Sequence, residues 1–262
     1  MLELYHAAGS VCAQTVRIAL AEMGLAWESR LLDMARGDQR APAYLALNPE
    51  GVVPTLVHDG LVVRESSLIV EYLDRLHDGA PLMPADRVGM QATRLWLLRS
   101  FEIHGAISTM SFATIFREQE RVRRSPAEMA AWLASMPNPY LRAKRRDLIE
   151  HGVDSVHVDG ALHTLNAALR DMDAALMLGR WLAGGRYGLA DIAITAYVDR
   201  LERLGLHGLW SARHPRIAGW LAAMRARPSY GAAIAAYVPE DFAAASRRAG
   251  SAAWPAITRR LA

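Results

Sequence analysis

The chain has 262 residues, 52% of them hydrophobic and 22% charged, with a formal net charge of +3. This is the composition of a globular protein, one large or two small domains with a sizeable core, neither disordered nor membrane-like. No uncharged apolar run reaches about 18 residues, the N-terminus lacks the regions of a signal peptide, and the single cysteine excludes an intrachain disulfide framework, so a cytoplasmic protein with no membrane partner is expected.

The densest basic run is Arg142-Ala143-Lys144-Arg145-Arg146, with a weaker one at Arg121-Val122-Arg123-Arg124. Acids such as Glu118, Glu120, Asp147 and Glu150 flank both, which describes a solvated helix face. No nucleic-acid partner is expected.

Leu2–Tyr5 reads as the first strand. Ser10-Val11-Cys12 follows, at the start of a helix that carries Val16, Leu20 and Met23 on one face and stops at Gly24. Trp27–Leu32 reads as the second strand. Gln39-Arg40 lies in a loop, and a short helix precedes Asn48.

Asn48-Pro49-Glu50-Gly51 makes a tight turn. Val53 precedes Pro54 and is pushed toward an extended conformation. An X-Pro bond takes the cis form at modest cost. A cis bond here leaves the Val53 N–H and C=O facing outward, free to pair with a peptide-like ligand. Thr55–His58 and Leu61–Arg64 read as a hairpin about Asp59-Gly60. Glu65-Ser66 stands where the hairpin ends and a helix begins, and a helix N-terminus receives a carboxylate. Leu68, Ile69, Tyr72, Leu73 and Leu76 give that helix an apolar stripe. The alternation of β and α elements implies a small thioredoxin-like α/β domain over residues 1–77.

Residues 78–87 contain an Asp-Gly-Ala-Pro run and a second proline, and read as a linker. From 88 to 238 the chain reads as an all-α bundle, clearest where Leu162, Leu165, Leu169, Met172 and Leu176 repeat at steps of three and four. Trp96, Ile103, Met110, Phe112 and Phe116 are candidates to line a pocket between the domains, and each reads equally well as helical core. His151, His157 and His163 are spaced by six and do not share a helix face, so no metal is expected. The Ala-rich extension 239–262 has no assignment.

In order and spacing, the turn, Val53-Pro54, the hairpin and Glu65-Ser66 resemble the glutathione-binding half of the cytosolic glutathione transferases. The resemblance covers about residues 1–237. It implies that family's fold, a thioredoxin-like domain followed by a helical bundle. It also implies a role for each matching residue. Val53, before Pro54, pairs its backbone with the cysteinyl part of glutathione. Glu65 and Ser66 hold the γ-glutamyl end, and Gln39 and Arg40 meet the glycyl carboxylate. Tyr187-Gly188-Leu189-Ala190-Asp191 resembles the family's helix-start capping box, with Gly188 where Ser or Thr is usual. Asp191 is therefore read as structural, and Gly188→Ser is expected to stabilise the fold.

Glutathione chemistry requires a thiolate near neutral pH, and the N-terminus of the first helix favours negative charge. Ser10 and Cys12 are the candidate catalytic residues there. Either the Ser10 hydroxyl donates to the glutathione sulfur, or Cys12 is a thiolate that forms a mixed disulfide with glutathione. The run from Ser10 to Leu20 is similar to the first-helix motif of zeta-class transferases, with Val11, Gln14 and Thr15 replacing its second Ser, its Trp and an Arg. The Ser-x-Cys pattern also resembles glutathione-dependent reductive dehalogenases, and the chain length is similar to theirs and to that of bacterial β-etherases. Thr15 stands three residues after Cys12, which excludes a Cys-x-x-Cys dithiol.

The expected function is a detoxifying glutathione transferase that activates the glutathione thiol against a small electrophile, expected to be aromatic. The alternatives are a reductive dehalogenase or β-etherase using Cys12, and a non-catalytic glutathione-binding module of the same fold. A homodimer is implied by the resemblance alone.

Overall fold

The computed structural model describes residues 1–261. Its first part is a four-stranded sheet in the order β2-β1-β3-β4. Strand β1 (Leu2–His6) pairs parallel with β2 (Trp27–Leu31) and antiparallel with β3 (Thr55–His58), which forms a hairpin with β4 (Leu61–Arg64). Helix α1 (Val11–Glu22) makes the crossover that two parallel strands require. Helices α2 (Pro42–Leu47) and α3 (Ser66–Asp74) complete this unit. Leu4, Val16, Leu20, Leu56, Ile69 and Leu73 are wholly buried between sheet and helices.

After an irregular stretch, Asp86 caps α4 (Arg87–Ser111) by accepting from the Gly89 N–H. The helical part continues with α5 (Arg117–Arg123), α6 (Pro126–Ala134), α7 (Pro139–His151), α8 (Val158–Leu178), α9 (Leu189–Arg203), α10 (Arg216–Arg225) and α11 (Pro228–Ala233). The three-and-four stripe falls on α8, where Leu162, Leu165, Leu169 and Met172 are buried. The Ala-rich extension is one further helix, α12 (Glu240–Leu261), packed on α9.

Helix α9 is the axis of the molecule. Ala193, Ile194, Ala196, Tyr197 and Leu201 are all buried, and α1, α4 and α10 pack around them. Asp199 on this helix is wholly buried and binds Arg203, Arg225 and the Tyr230 hydroxyl. Burial disfavours its charge, and these partners more than compensate, so its pKa lies below the usual carboxylate range.

Arg17 ties the two parts together without any carboxylate. Its guanidinium donates to the carbonyls of Ala7, Ala8 and Ala233 and to His6 Nδ1 at 3.0 Å, and lies 3.9 Å over the Tyr237 ring. His6 is therefore the tautomer with its proton on Nε2, which faces Ser29 Oγ at 2.8 Å. Burial, then the Arg17 charge, hold the His6 pKa down at about 4.

Asp191 accepts from Leu182 N–H, Gly188 N–H and Trp220 Nε1–H, a structural role. Burial still pushes its pKa up to about 6. The expected gain from Gly188→Ser is corrected by the structure. A Cβ at Gly188 would stand 2.5 Å from the Leu82 carbonyl oxygen, which accepts from Leu189 N–H. Glycine is there because two backbone segments touch.

Candidate active site

The Val53-Pro54 bond is cis. Tyr44 and Asn48 side chains hold the neighbouring Val52 carbonyl, which fixes the turn. Among the described residues, neither the Val53 N–H nor its C=O has a hydrogen-bond partner. Val53 packs against Ala7, which places this free edge beside the loop leading to Ser10.

Glu65 has φ +67° and ψ 118°, a conformation disfavoured for a side-chain-bearing residue. It holds the start of α3 in place, and no side chain caps that helix. The first N–H groups of α3 are left open to an anion. Gln39 is 3% exposed and its Oε1 has no partner, while its carbonyl abuts Gly51. Arg40 turns instead toward the helical part. It donates to the Trp132 carbonyl and to Ser135 Oγ, at the edge of an open cleft of about 470 Å³.

Ser10 is the N-cap of α1, its Oγ accepting from the Ala13 N–H at 3.3 Å. Cys12 lies in the first turn, half-buried, with Sγ 3.7 Å from the Tyr197 hydroxyl. His104, on α4 and with its ring centre 6.3 Å from that of Tyr197, and Ser66 are near enough to act on the thiol. Burial opposes ionisation of Cys12. The His104 charge and hydrogen bonds from His104, Tyr197 and Ser66 outweigh it, so the thiol pKa falls below its ordinary value. In return the Cys12 charge raises the His104 pKa against the cost of its burial. Burial and the Cys12 charge hold Tyr197 protonated, as a donor. Cys12 and His104 thus each favour the other's charged form, with the Tyr197 hydroxyl at the sulfur.

His104 and Tyr197 carried no sequence signal of their own. His104 sits in an ordinary apolar helix pattern, and Tyr197 is 185 residues from its partner Cys12. The basic run at 142–146 is not a uniform solvated face. Arg146 is less deeply placed, but Arg145 turns inward and lies 3.3 Å from the centre of the Phe112 ring. Of the apolar candidates, Trp96, Ile103 and Met110 are core, while Phe112 and Phe116 are half-buried and 4.9 Å apart. They occupy a π-helical turn (Phe112–Phe116) between α4 and α5, broken at Thr114 (φ −119°, ψ −105°). Such turns open a helix and expose side chains at functional sites.

A four-stranded sheet unit is followed by a helical unit, and the Cys12 thiol lies where the two meet. The family descriptions "Glutathione S-transferase, N-terminal domain" and "Glutathione S-transferase, C-terminal domain" match residues 4–81 and 155–223. The chain belongs to the glutathione S-transferase family. It is 29% identical over 236 residues to the tetrachloro-p-hydroquinone reductive dehalogenase of Sphingobium chlorophenolicum, covering 87% of this chain and 94% of that one. It is 28% identical over 219 residues to protein LigF of Sphingobium sp. strain SYK-6, covering 80% and 84%. The crystal structure of that β-etherase superposes with a TM-score of 0.81 at 26% identity, over 90% of this chain and 99% of that one.

Proposed function

We propose that the protein is a glutathione-dependent enzyme that joins glutathione to a small aromatic electrophile and then cleaves the conjugate through Cys12. The observation that carries this reading is the Cys12 thiol set against His104, Tyr197 and Ser66. An enzyme that only activates glutathione from Ser10 has no use for a second stabilised thiolate.

Glutathione occupies the edge formed by Gln39, Val53, Glu65 and Ser66, with a carboxylate at the start of α3. The free Val53 backbone suits the peptide groups and the uncapped α3 suits the carboxylate, while the unpartnered Gln39 Oε1 can accept only from an N–H of the peptide. Its thiolate attacks the carbon that bears the leaving group. A C–S bond forms, and the leaving group departs with its electron pair. The Cys12 thiolate then attacks the sulfur of the conjugate. An S–S bond forms, and the carbon departs with its electron pair and takes a proton from the His104 imidazolium. A second glutathione attacks the mixed disulfide and frees Cys12. The carbon is reduced, and two glutathiones become one disulfide.

Conjugation by Ser10 alone is the second reading. It is favoured by the Ser10 hydroxyl, which as N-cap uses only its oxygen and keeps its hydrogen to donate. Separate Cys12→Ala and Ser10→Ala variants divide the two. Loss of the reduced product with conjugation kept in Cys12→Ala supports the first, and full turnover in Cys12→Ala leaves only the second. Glutathione must raise the melting temperature in either case, and Ser66→Ala must weaken that rise. Binding without turnover would make the protein a binding module.

A second copy fits against the exposed apolar face formed by Leu68 of α3 and Leu95, Leu98 and Phe101 of α4, all roughly half or more exposed. A monomeric sedimentation profile would remove that expectation. A cytoplasmic location suits an enzyme with a free working thiol.

A further inference from the structure

Two buried guanidinium groups border the site without a carboxylate. Arg200, on α9 one turn beyond Tyr197, is 2% exposed. Its Nη2 donates to the Gly9 carbonyl at 2.5 Å, next to Ser10, and its Nε has no partner. Arg145, on α7, donates from Nη2 to Ser108 Oγ at 2.9 Å, and its Nη1 is buried with no partner. Among the described residues neither forms an ion pair, whereas Arg99, Arg203, Arg225 and Arg227 each do.

An orphaned buried charge is expensive, and a fold keeps one where something supplies the missing partner. Burial lowers both pKa values only to about 9, so both groups remain cationic at neutral pH. No side chain among the described residues supplies that partner.

The two cations flank the same pair of rings. Arg145 lies over Phe112, and Arg200 is 5.7 Å from the centre of the Phe116 ring. His104 and Ser108 share one face of α4, and Phe112 follows four residues on, at the start of the π-helical turn. Arg145 is close enough for its charge to act on His104. The two unpaired cations and the two rings therefore form one cluster, which His104 joins to Cys12. Phe242 of α12 stacks on Phe116, with ring centres 6.3 Å apart.

We propose that the electrophile is an aromatic compound carrying one anionic oxygen group, a carboxylate or a phenolate, which Arg145 and Arg200 bind while its ring lies on Phe112 and Phe116. This deepens the glutathione-dependent reading above and rests on it for the chemistry. A guanidinium matches such a group with two parallel donors.

The test is calorimetric binding of dinitrobenzoate, dinitrophenolate and the neutral dinitrobenzene, each with and without saturating glutathione. The expected result is that an anionic ligand binds about tenfold more tightly than the neutral one. Arg145→Gln, on the outer helix α7, loses that preference and leaves dinitrobenzene unchanged, and Arg145→Lys restores part of it. Arg200→Gln loses it as well. If it fails to fold because the Gly9 contact is lost, the two Arg145 variants decide. The benzoate and phenolate arms tell the two groups apart. Equal binding of all three ligands, or equal losses for all three in Arg145→Gln, overturns the proposal. Glutathione-induced stabilisation is read in the same samples, so failure of the glutathione site is recorded separately.

Discussion

The Cys12 sulfur, in the first turn of α1, lies 3.7 Å from the Tyr197 hydroxyl, in the middle of α9. The contact joins the sheet domain to the helical domain at the one thiol of the chain. It makes the state of Cys12 depend on residues that no local motif contains.

Among the groups acting on that thiol, the His104 charge lowers its pKa most. The His104→Ala variant is expected to move the alkylation midpoint of Cys12 upward in pH, because burial then acts with less opposition. Iodoacetamide trapping against pH measures it. An unmoved midpoint would detach His104 from the site.

Buried His6 makes the protein acid-sensitive. Its pKa is about 4 in the fold against 6.5 for a free imidazole, so between those values the unfolded chain binds the proton and the folded chain does not. Stability therefore falls as pH drops from 6.5 toward 4, by about 3 kcal/mol at most from this group. Asp191, raised to about 6, acts in the opposite direction over part of that window. The difference between wild type and His6→Gln in urea titrations isolates the histidine, and the variant should show the shallower acid decline.

Gly188→Ser should lower stability. The hydroxyl would add an N-cap acceptor to α9, worth about 1 kcal/mol, but the Cβ meets the Leu82 carbonyl at 2.5 Å. Displacing backbone in a packed region costs about 1–3 kcal/mol, so the clash outweighs the new cap. A melting temperature above wild type would contradict this.

Gly250 governs the docking of α12. A side chain there would overlap the Leu204 carbonyl at the end of α9. Gly250→Ala is expected to loosen α12, expose Trp254 and increase proteolysis within 240–261 while α4 and α8 stay protected. Uniform loss of protection would mean that α12 is part of one cooperative unit.

Much of the sheet domain is readable from its turns. Pro54, Gly60 and the Glu65-Ser66 junction mark where the chain must bend, and each constrains its neighbours locally. The stripe of Leu162, Leu165, Leu169 and Met172 likewise announces α8 through its period. Half of the site is hidden for the opposite reason. His104 and Tyr197 become neighbours of Cys12 only through helix packing, and periodicity says which face of a helix is apolar, not what that face meets. Gly188 misleads because local capping favours a serine, and the contact that forbids it comes from Leu82, more than 100 residues earlier.

If the proposed cycle operates, Cys12 carries glutathione during turnover. Rapid acid quenching of the enzyme at work on an aromatic electrophile with reduced glutathione, followed by intact-mass and peptide mass spectrometry, reads this step. The expected result is a glutathionyl group on Cys12 that a reductant removes and that is absent in Cys12→Ala. An unmodified Cys12 at every time point, with full turnover in Cys12→Ala, would contradict the cycle.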